Sequence, residues 1–300
     1  MRFTASLLFF WALLATPAQA EAPPRLHFLE QQLVSISADN PGNLGFAALD
    51  LESGELVAIE GDNPFPMAST VKVAVAANYL AQVEYGRRSL DDRIKGRSAR
   101  SLMEAMLIHS DNYATDLLLR DLGGPRTLQA WLDQAGIGGI RVDRTIAGLL
   151  AARRDLKDVR DSSTPRAMVT LLKAIDDGSL LQPSSRSYLL GLMGRCMTGK
   201  NRIRGLLPYG TRVENKTGTL NGYTSDVGFI TLPNGRRVAI ALFARYGSNR
   251  PYTIARAART IYNGFLYAPT MQRLTSISPS WTYQANPITA QTPPVQPPSQ

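Results

Sequence analysis

The chain has 300 residues, 44% of them hydrophobic and 19% charged, with a formal net charge of +9. Those values describe a globular protein large enough for a sizeable core and two lobes, and they exclude a fibrous one. A single cysteine, Cys196, excludes an internal disulfide, and two histidines, His27 and His109, give little basis for a metal cluster or a histidine-based triad.

The first twenty residues have the pattern of a secretory signal. Arg2 is the positive start, Leu7 to Leu14 the apolar stretch, and Ala18-Gln19-Ala20 the small-x-small cleavage site before Glu21. The apolar stretch is too short to span a membrane comfortably, and no cysteine follows the cleavage site to carry a lipid. A secreted, periplasmic protein is therefore expected. Removing residues 1–20 takes away Arg2 and leaves a charge of +8. The pairs Arg87-Arg88, Arg153-Arg154 and Arg236-Arg237 are scattered without aromatic interleaving, so nucleic acid is not an expected partner. An anionic cell wall or membrane surface suits this charge better.

Leu26, Leu29, Leu33 and Ile36 recur at helical spacing, which predicts an amphipathic first helix. Apolar stretches at Leu44 to Leu51 and Glu55 to Glu60 flank Glu52-Ser53-Gly54 and predict a β-hairpin. Helical patterns then follow at Ser69 to Tyr85, Ala99 to His109, Tyr113 to Leu122, Pro125 to Ala135 and Thr164 to Ile175. Strand patterns return at Tyr223 to Leu232 and Arg237 to Phe243, joined by Pro233-Asn234-Gly235, and a last helix is expected from about Pro251 to Phe265. Strands at both ends with helices between them predict an α/β (α+β) chain. Its antiparallel sheet lobe comes from about 22–61 and 200–268, its inserted helical lobe from about 62–199, and a cleft is expected between the two. Residues 269–300, rich in Pro, Ser, Thr and Gln, read as a disordered tail.

Three short motifs carry candidate chemistry. Ser69-Thr70-Val71-Lys72 places a hydroxyl and an amine three residues apart on one helix face, close enough for the amine to take the hydroxyl proton. Ser110-Asp111-Asn112 falls on a turn, where Ser110 can relay a proton and Asn112 can meet a substrate amide; taken alone it is more often a helix cap. Lys216-Thr217-Gly218-Thr219, just before the strand near Tyr223, supplies a cation, small hydroxyls and a glycine on an edge strand, suited to an anion and an extended peptide. Gly194-Arg195-Cys196-Met197-Thr198-Gly199-Lys200 imitates a phosphate loop, but Asn201 stands where a magnesium-binding hydroxyl belongs. A helix end explains it better.

In this order the three motifs resemble those of the penicillin-recognising serine acyl-transferases, and class A β-lactamases are the most similar subgroup. Arg160 to Met168 resembles the end of the class A active-site loop, and Asn201 to Pro208 the stretch before its Lys-Thr-Gly strand. The resemblance covers about residues 25–265 and implies a β-lactamase/transpeptidase-like fold with no cofactor and no metal. It further implies that Ser69 is the nucleophile, Lys72 its base and Ser110 the proton donor to the leaving nitrogen. Lys216, Thr217 and Thr219 would hold the substrate carboxylate, and the N–H groups of Ser69 and Thr219 would form the oxyanion hole. Asn112 and Gly218 complete the expected substrate-binding set, with Arg202, Arg204, Arg245 and Arg250 as candidate helpers.

Two departures bear on the substrate. Asp143-Arg144 resembles the start of the class A loop, with Arg144 able to pair with Asp161, but Ile146 stands where that family has its water-activating glutamate and Leu150 where it has an asparagine. No Glu lies between Glu104 and Glu214; Asp155 and Asp158 are the nearby carboxylates that could substitute. The stretch from Ile94 to Ser110 is also shorter than the class A excursion over the cleft, which favours a more open cleft. Together these point first to a monomeric D-alanyl-D-alanine-type peptidase acting on peptidoglycan stem peptides and acylated by β-lactams. The alternatives are a divergent class A β-lactamase using Asp155, Asp158 or Lys72 to activate water, and a non-catalytic sensor of β-lactams or wall fragments.

Overall fold

The computed structural model describes residues 22–153 and 155–267. The expected signal segment and tail lie outside the described residues. A five-stranded antiparallel sheet runs in the order β2-β1-β9-β8-β7, with β1 at Asn43–Asp50, β2 at Leu56–Ile59, β7 at Val213–Leu220, β8 at Tyr223–Thr231 and β9 at Arg237–Arg245. Its middle brings the two ends of the sequence together: Phe46 on β1 pairs with Leu242 on β9.

Alternation along β9 explains why helices cover both faces of this sheet. Ala239, Ala241 and Phe243 join the core shared with the helical lobe, while Val238, Ile240, Leu242 and Ala244 join a second core. That second core is closed by α1, His27–Ala38, and α9, Arg250–Tyr267. Helix α9 turns Ile254, Ala257, Ala258, Ile261 and Phe265 inward at the three- and four-residue spacing of one helical face.

The remaining elements form the helical side. They are β3 (Phe65–Pro66), α2 (Lys72–Glu84), β4 (Arg93–Ile94), β5 (Arg97–Ser98), α3 (Ala99–Ile108), α4 (Asn112–Asp121), α5 (Pro125–Gln134), α6 (Ile146–Ala151), β6 (Ser162–Ser163), α7 (Pro165–Asp176) and α8 (Pro183–Gly194). Every long helix predicted from periodicity is present within a few residues. Helix α8 ends at Gly194, so the imitation phosphate loop is a helix end and the chain after it.

Two features, the start of the Ser69 helix and helix α6, differ from the sequence expectation. The stretch opening at Ser69 begins as a 3-10 turn, Ala68–Val71, and becomes α-helical only at Lys72. Lys216, Thr217, Gly218 and Thr219 lie in β7, the edge strand expected for them just before the strand at Tyr223. Six residues expected as loop form α6. Thr145 Oγ1 caps it by accepting from Gly148 N at 3.1 Å, and the buried Asp116 carboxylate accepts from Ile146 N at 2.7 Å and Ala147 N at 2.9 Å. Where a longer excursion is missing, β4 and β5 make a hairpin turned by Lys95 and Gly96, both at positive φ, leading directly into α3.

Candidate active site

The site lies where the 68–71 turn, the α3–α4 turn and β7 meet. Gly218 lets β7 lie close against the 68–71 turn. A Cβ there would stand 2.7 Å from the Met67 carbonyl oxygen and 2.4 Å from Ser225 Oγ, so a side chain would push β7 off the turn that carries Ser69. On the other flank, β3 pairs with β6, and Met67 N donates to Asp161 O at 2.9 Å. The Ser69 turn is thus held between the sheet edge and the end of the 143–161 loop.

Lys72 is fully buried and donates to Ser110 O at 2.7 Å, Ser110 Oγ at 3.1 Å and Asn112 Oδ1 at 2.7 Å. Lys216, equally buried, donates to the same Ser110 Oγ at 3.0 Å and to Thr217 O at 2.9 Å. The Ser-Asp-Asn motif both caps a helix and meets the two lysines. Asp111 Oδ1 caps α4 by accepting from Ala114 N at 2.6 Å, while Ser110, held at a φ of 60°, and Asn112 face the lysines. Ser69 is half-buried at the start of this arrangement.

Burial pushes the Lys72 amine down to about 7, helped by the Lys216 charge and opposed by Asp111 and Asp116. Burial likewise lowers Lys216 to about 8. A lysine near 7 can be neutral often enough to take a proton at ordinary pH, which an unperturbed lysine cannot. Asn112 Oδ1 fixes its amine beside Ser110.

Of the four candidate arginines, only Arg202 reaches this cluster. Its Nη2 donates to Thr219 Oγ1 at 2.7 Å and its Nη1 to Gly218 O at 3.0 Å and Ser225 O at 2.9 Å. Arg204 bonds Asn215 Oδ1 and Val213 O, Arg245 bonds Leu156 O over the Phe65 ring, and Arg250 bonds the carbonyls of Tyr246 and Gly247. Thr217 Oγ1 meets Thr198 Oγ1 at 2.5 Å, a partner that sequence reasoning missed. Thr198 lay in plain sight inside the false phosphate loop. Asp226 is also new: buried on β8, it accepts from Asn215 Nδ2 at 2.8 Å and from Ile203 N at 3.2 Å, the residue after Arg202. Burial raises its carboxyl to about 6.

Two cations with buried heads, Lys216 and Arg202, beside the lowered amine of Lys72 make an arrangement suited to a substrate carboxylate and to a charge developing on oxygen. The family model described as "Beta-lactamase enzyme family" matches residues 28–265. This chain belongs to the class A β-lactamase family. It is an enzyme of the serine hydrolase type. An extended-spectrum β-lactamase, PER-1 of Pseudomonas aeruginosa, is 27% identical over 310 residues, spanning 92% of this chain and 97% of that protein. A β-lactamase of Amycolatopsis lactamdurans is 32% identical, spanning 75% and 80%. Among solved structures, an ancestral class A β-lactamase matches at a TM-score of 0.75 and 33% identity, over 79% of this chain and all of that one. A β-lactamase from Chitinophaga pinensis gives 0.75 at 28% identity, over 79% and 99%.

Within this family member the loop neck forms as expected, with Arg144 Nε donating to Asp161 Oδ2 at 2.5 Å. Ile146 lies at the start of α6, buried, in the wall of a small apolar cavity shared with Met67, Ala68, Val71 and Leu149. Polar groups bordering that cavity are already engaged. Thr145 Oγ1 caps α6, Thr115 Oγ1 donates to Asp111 O, and Asp161 holds Arg144. Leu150 is half-exposed. The two substitute carboxylates fare no better. Hydrogen bonds from Arg160 hold the Asp158 carboxyl down to about 2, and Arg144 also pairs with it. Asp155, exposed, closes its own turn by accepting from Lys157 N at 2.8 Å.

Proposed function

We propose that the protein is acylated on Ser69 by β-lactams and releases the acyl group slowly. Lys72 takes the Ser69 proton, Ser110 passes a proton to the leaving ring nitrogen, and Lys216, Thr217, Thr219 and Arg202 hold the substrate carboxylate. Asn112 meets the substrate amide, and the N–H groups of Ser69 and Thr219 receive the oxyanion. The observation that carries this reading is the contrast across the Ser69 turn. One side offers two lysines on a shared serine, and the other offers the buried apolar side chain of Ile146.

The comparisons support β-lactams ahead of D-alanyl-D-alanine peptides, because the relatives named above are described as β-lactamases. The peptide reading rests on the short β4–β5 hairpin and on Ile146 in place of the loop glutamate. A working β-lactamase is the second reading, favoured by the same relatives and by a Lys72 amine near neutrality, which could return to activate water once the ester has formed. A chromogenic cephalosporin separates the two: a burst of one product per protein followed by a slow phase supports slow release, and sustained turnover supports the second. Secretion to the periplasm remains part of the proposal; a mature chain beginning at Glu21 would support it, and one retaining Met1 would contradict it.

A further inference from the structure

Helix α2 carries Lys72 at its first residue, and farther along the same helix flanks a second hollow of about 230 Å³, bordered by α5 and the turn after α2. This hollow shares no residue with the catalytic cluster. Three carboxamides, Asn78, Gln82 and Gln134, line it beside the half-buried indole of Trp131, with Arg87 and Arg88 alongside. Asn78 is almost fully buried. Its Oδ1 accepts from Gln82 Nε2 at 3.4 Å, and no hydrogen bond among the described residues uses its Nδ2 donors.

The two arginines differ in charge balance. Arg88 Nε donates to Asp121 Oδ2 at 2.7 Å and is neutralised there. Arg87 donates to Gln82 Oε1 at 3.4 Å and lies over the Tyr85 ring at 5.4 Å, with no carboxylate partner among the described residues. An indole offers a flat apolar surface to ring C–H groups, and carboxamides offer donors and acceptors together for hydroxyl and acetamido groups. An uncompensated guanidinium takes a carboxylate.

We infer that the hollow between α2 and α5 binds a sugar ring bearing a carboxylate. The inference does not depend on which acyl donor Ser69 takes. Trp131 is the one tryptophan among the described residues, so its fluorescence reports on the hollow once the other two tryptophans are replaced (Trp11→Phe, Trp281→Phe). The test titrates the full chain with N-acetylmuramic acid and with N-acetylglucosamine, which lacks the carboxylated ether, by calorimetry and fluorescence together. Saturable binding is expected for both, about tenfold tighter for the carboxylated sugar. Arg87→Gln should erase that preference, and Gln134→Ala should weaken both sugars; both residues are exposed, so the fold should survive. No saturable binding, equal affinity for the two sugars, or unchanged affinities in Arg87→Gln and Gln134→Ala would overturn the inference.

Discussion

Lys72 and Lys216 donate to one oxygen, Ser110 Oγ, at 3.1 and 3.0 Å. A serine hydroxyl has two acceptor sites and one proton, so with both sites filled by ammonium or amine N–H the proton must point elsewhere. It is free for a leaving nitrogen in the cleft. Ser110→Ala should therefore slow β-lactam acylation by about 10²–10⁴-fold, the usual worth of a general acid–base group. Single-turnover kinetics would measure this. Unchanged acylation in a folded Ser110→Ala protein would remove Ser110 from the proton path.

The two lysines also set a pH profile. Lys72 must lose its proton to act, and its amine is held down to about 7, so acylation should rise with pH through that value. Lys216 must keep its proton to hold a carboxylate, and with its amine lowered to about 8, acylation should fall above it. A bell with its maximum between the two is expected from acylation rates at constant ionic strength. Stability has its own sign. The folded-state value of Lys72 lies below the ordinary 10.5, so the unfolded chain binds more protons between about 7 and 10.5. The contribution of Lys72 to stability therefore rises with pH across that window, measurable as a smaller loss of melting temperature at alkaline pH than Lys72→Met shows.

Ile146→Glu should restore a carboxylate to the start of α6, facing the cavity next to Ala68. Release of the acyl group should speed up by about 10²–10⁴-fold if that carboxylate reaches water. The substitution also buries a charge among apolar side chains, so stability should fall by roughly 1–3 kcal/mol. Acylation should change much less than release. Parallel deacylation and thermal-melt measurements check both effects, and accelerated acylation with unchanged release would contradict this role for Ile146.

Arg202 bridges β7 to β8 through two carbonyls and presents its other nitrogen to Thr219 Oγ1. Arg202→Lys keeps a charge but cannot span three acceptors in one plane. It should weaken productive β-lactam binding about tenfold or more, seen as a raised KM for acylation, with the conservative charge failing to rescue. An unchanged KM would assign the carboxylate to Lys216, Thr217 and Thr219 without Arg202.

Much of this site was legible in the sequence because helix periodicity and three short motifs are local signals. Ser69, Lys72, Ser110, Asn112 and Lys216 could be singled out as candidates from three motifs and their resemblance to a known family. Their convergence could not, since it depends on Gly218 letting β7 approach Met67, a contact across about 150 residues of chain. Helix α6 was missed because six residues containing Gly148 carry no clear helical pattern, and its stabiliser, Asp116, lies thirty positions earlier. Thr145 before an apolar run was the available signal. The β3–β6 pairing at Phe65 and Ser163 joins two-residue strands, too short for any periodicity to reveal. Four arginines looked equivalent in the sequence, and only packing distinguishes Arg202 from the three tied to backbone carbonyls elsewhere.

The most direct measurement is an intact-mass time course of the protein with a penicillin, beside Ser69→Ala as control. A single adduct that forms quickly, persists after the free drug is removed and never appears in Ser69→Ala is the predicted result. Rapid return to the unmodified mass with continued loss of drug would contradict slow release and make the protein a working β-lactamase despite Ile146.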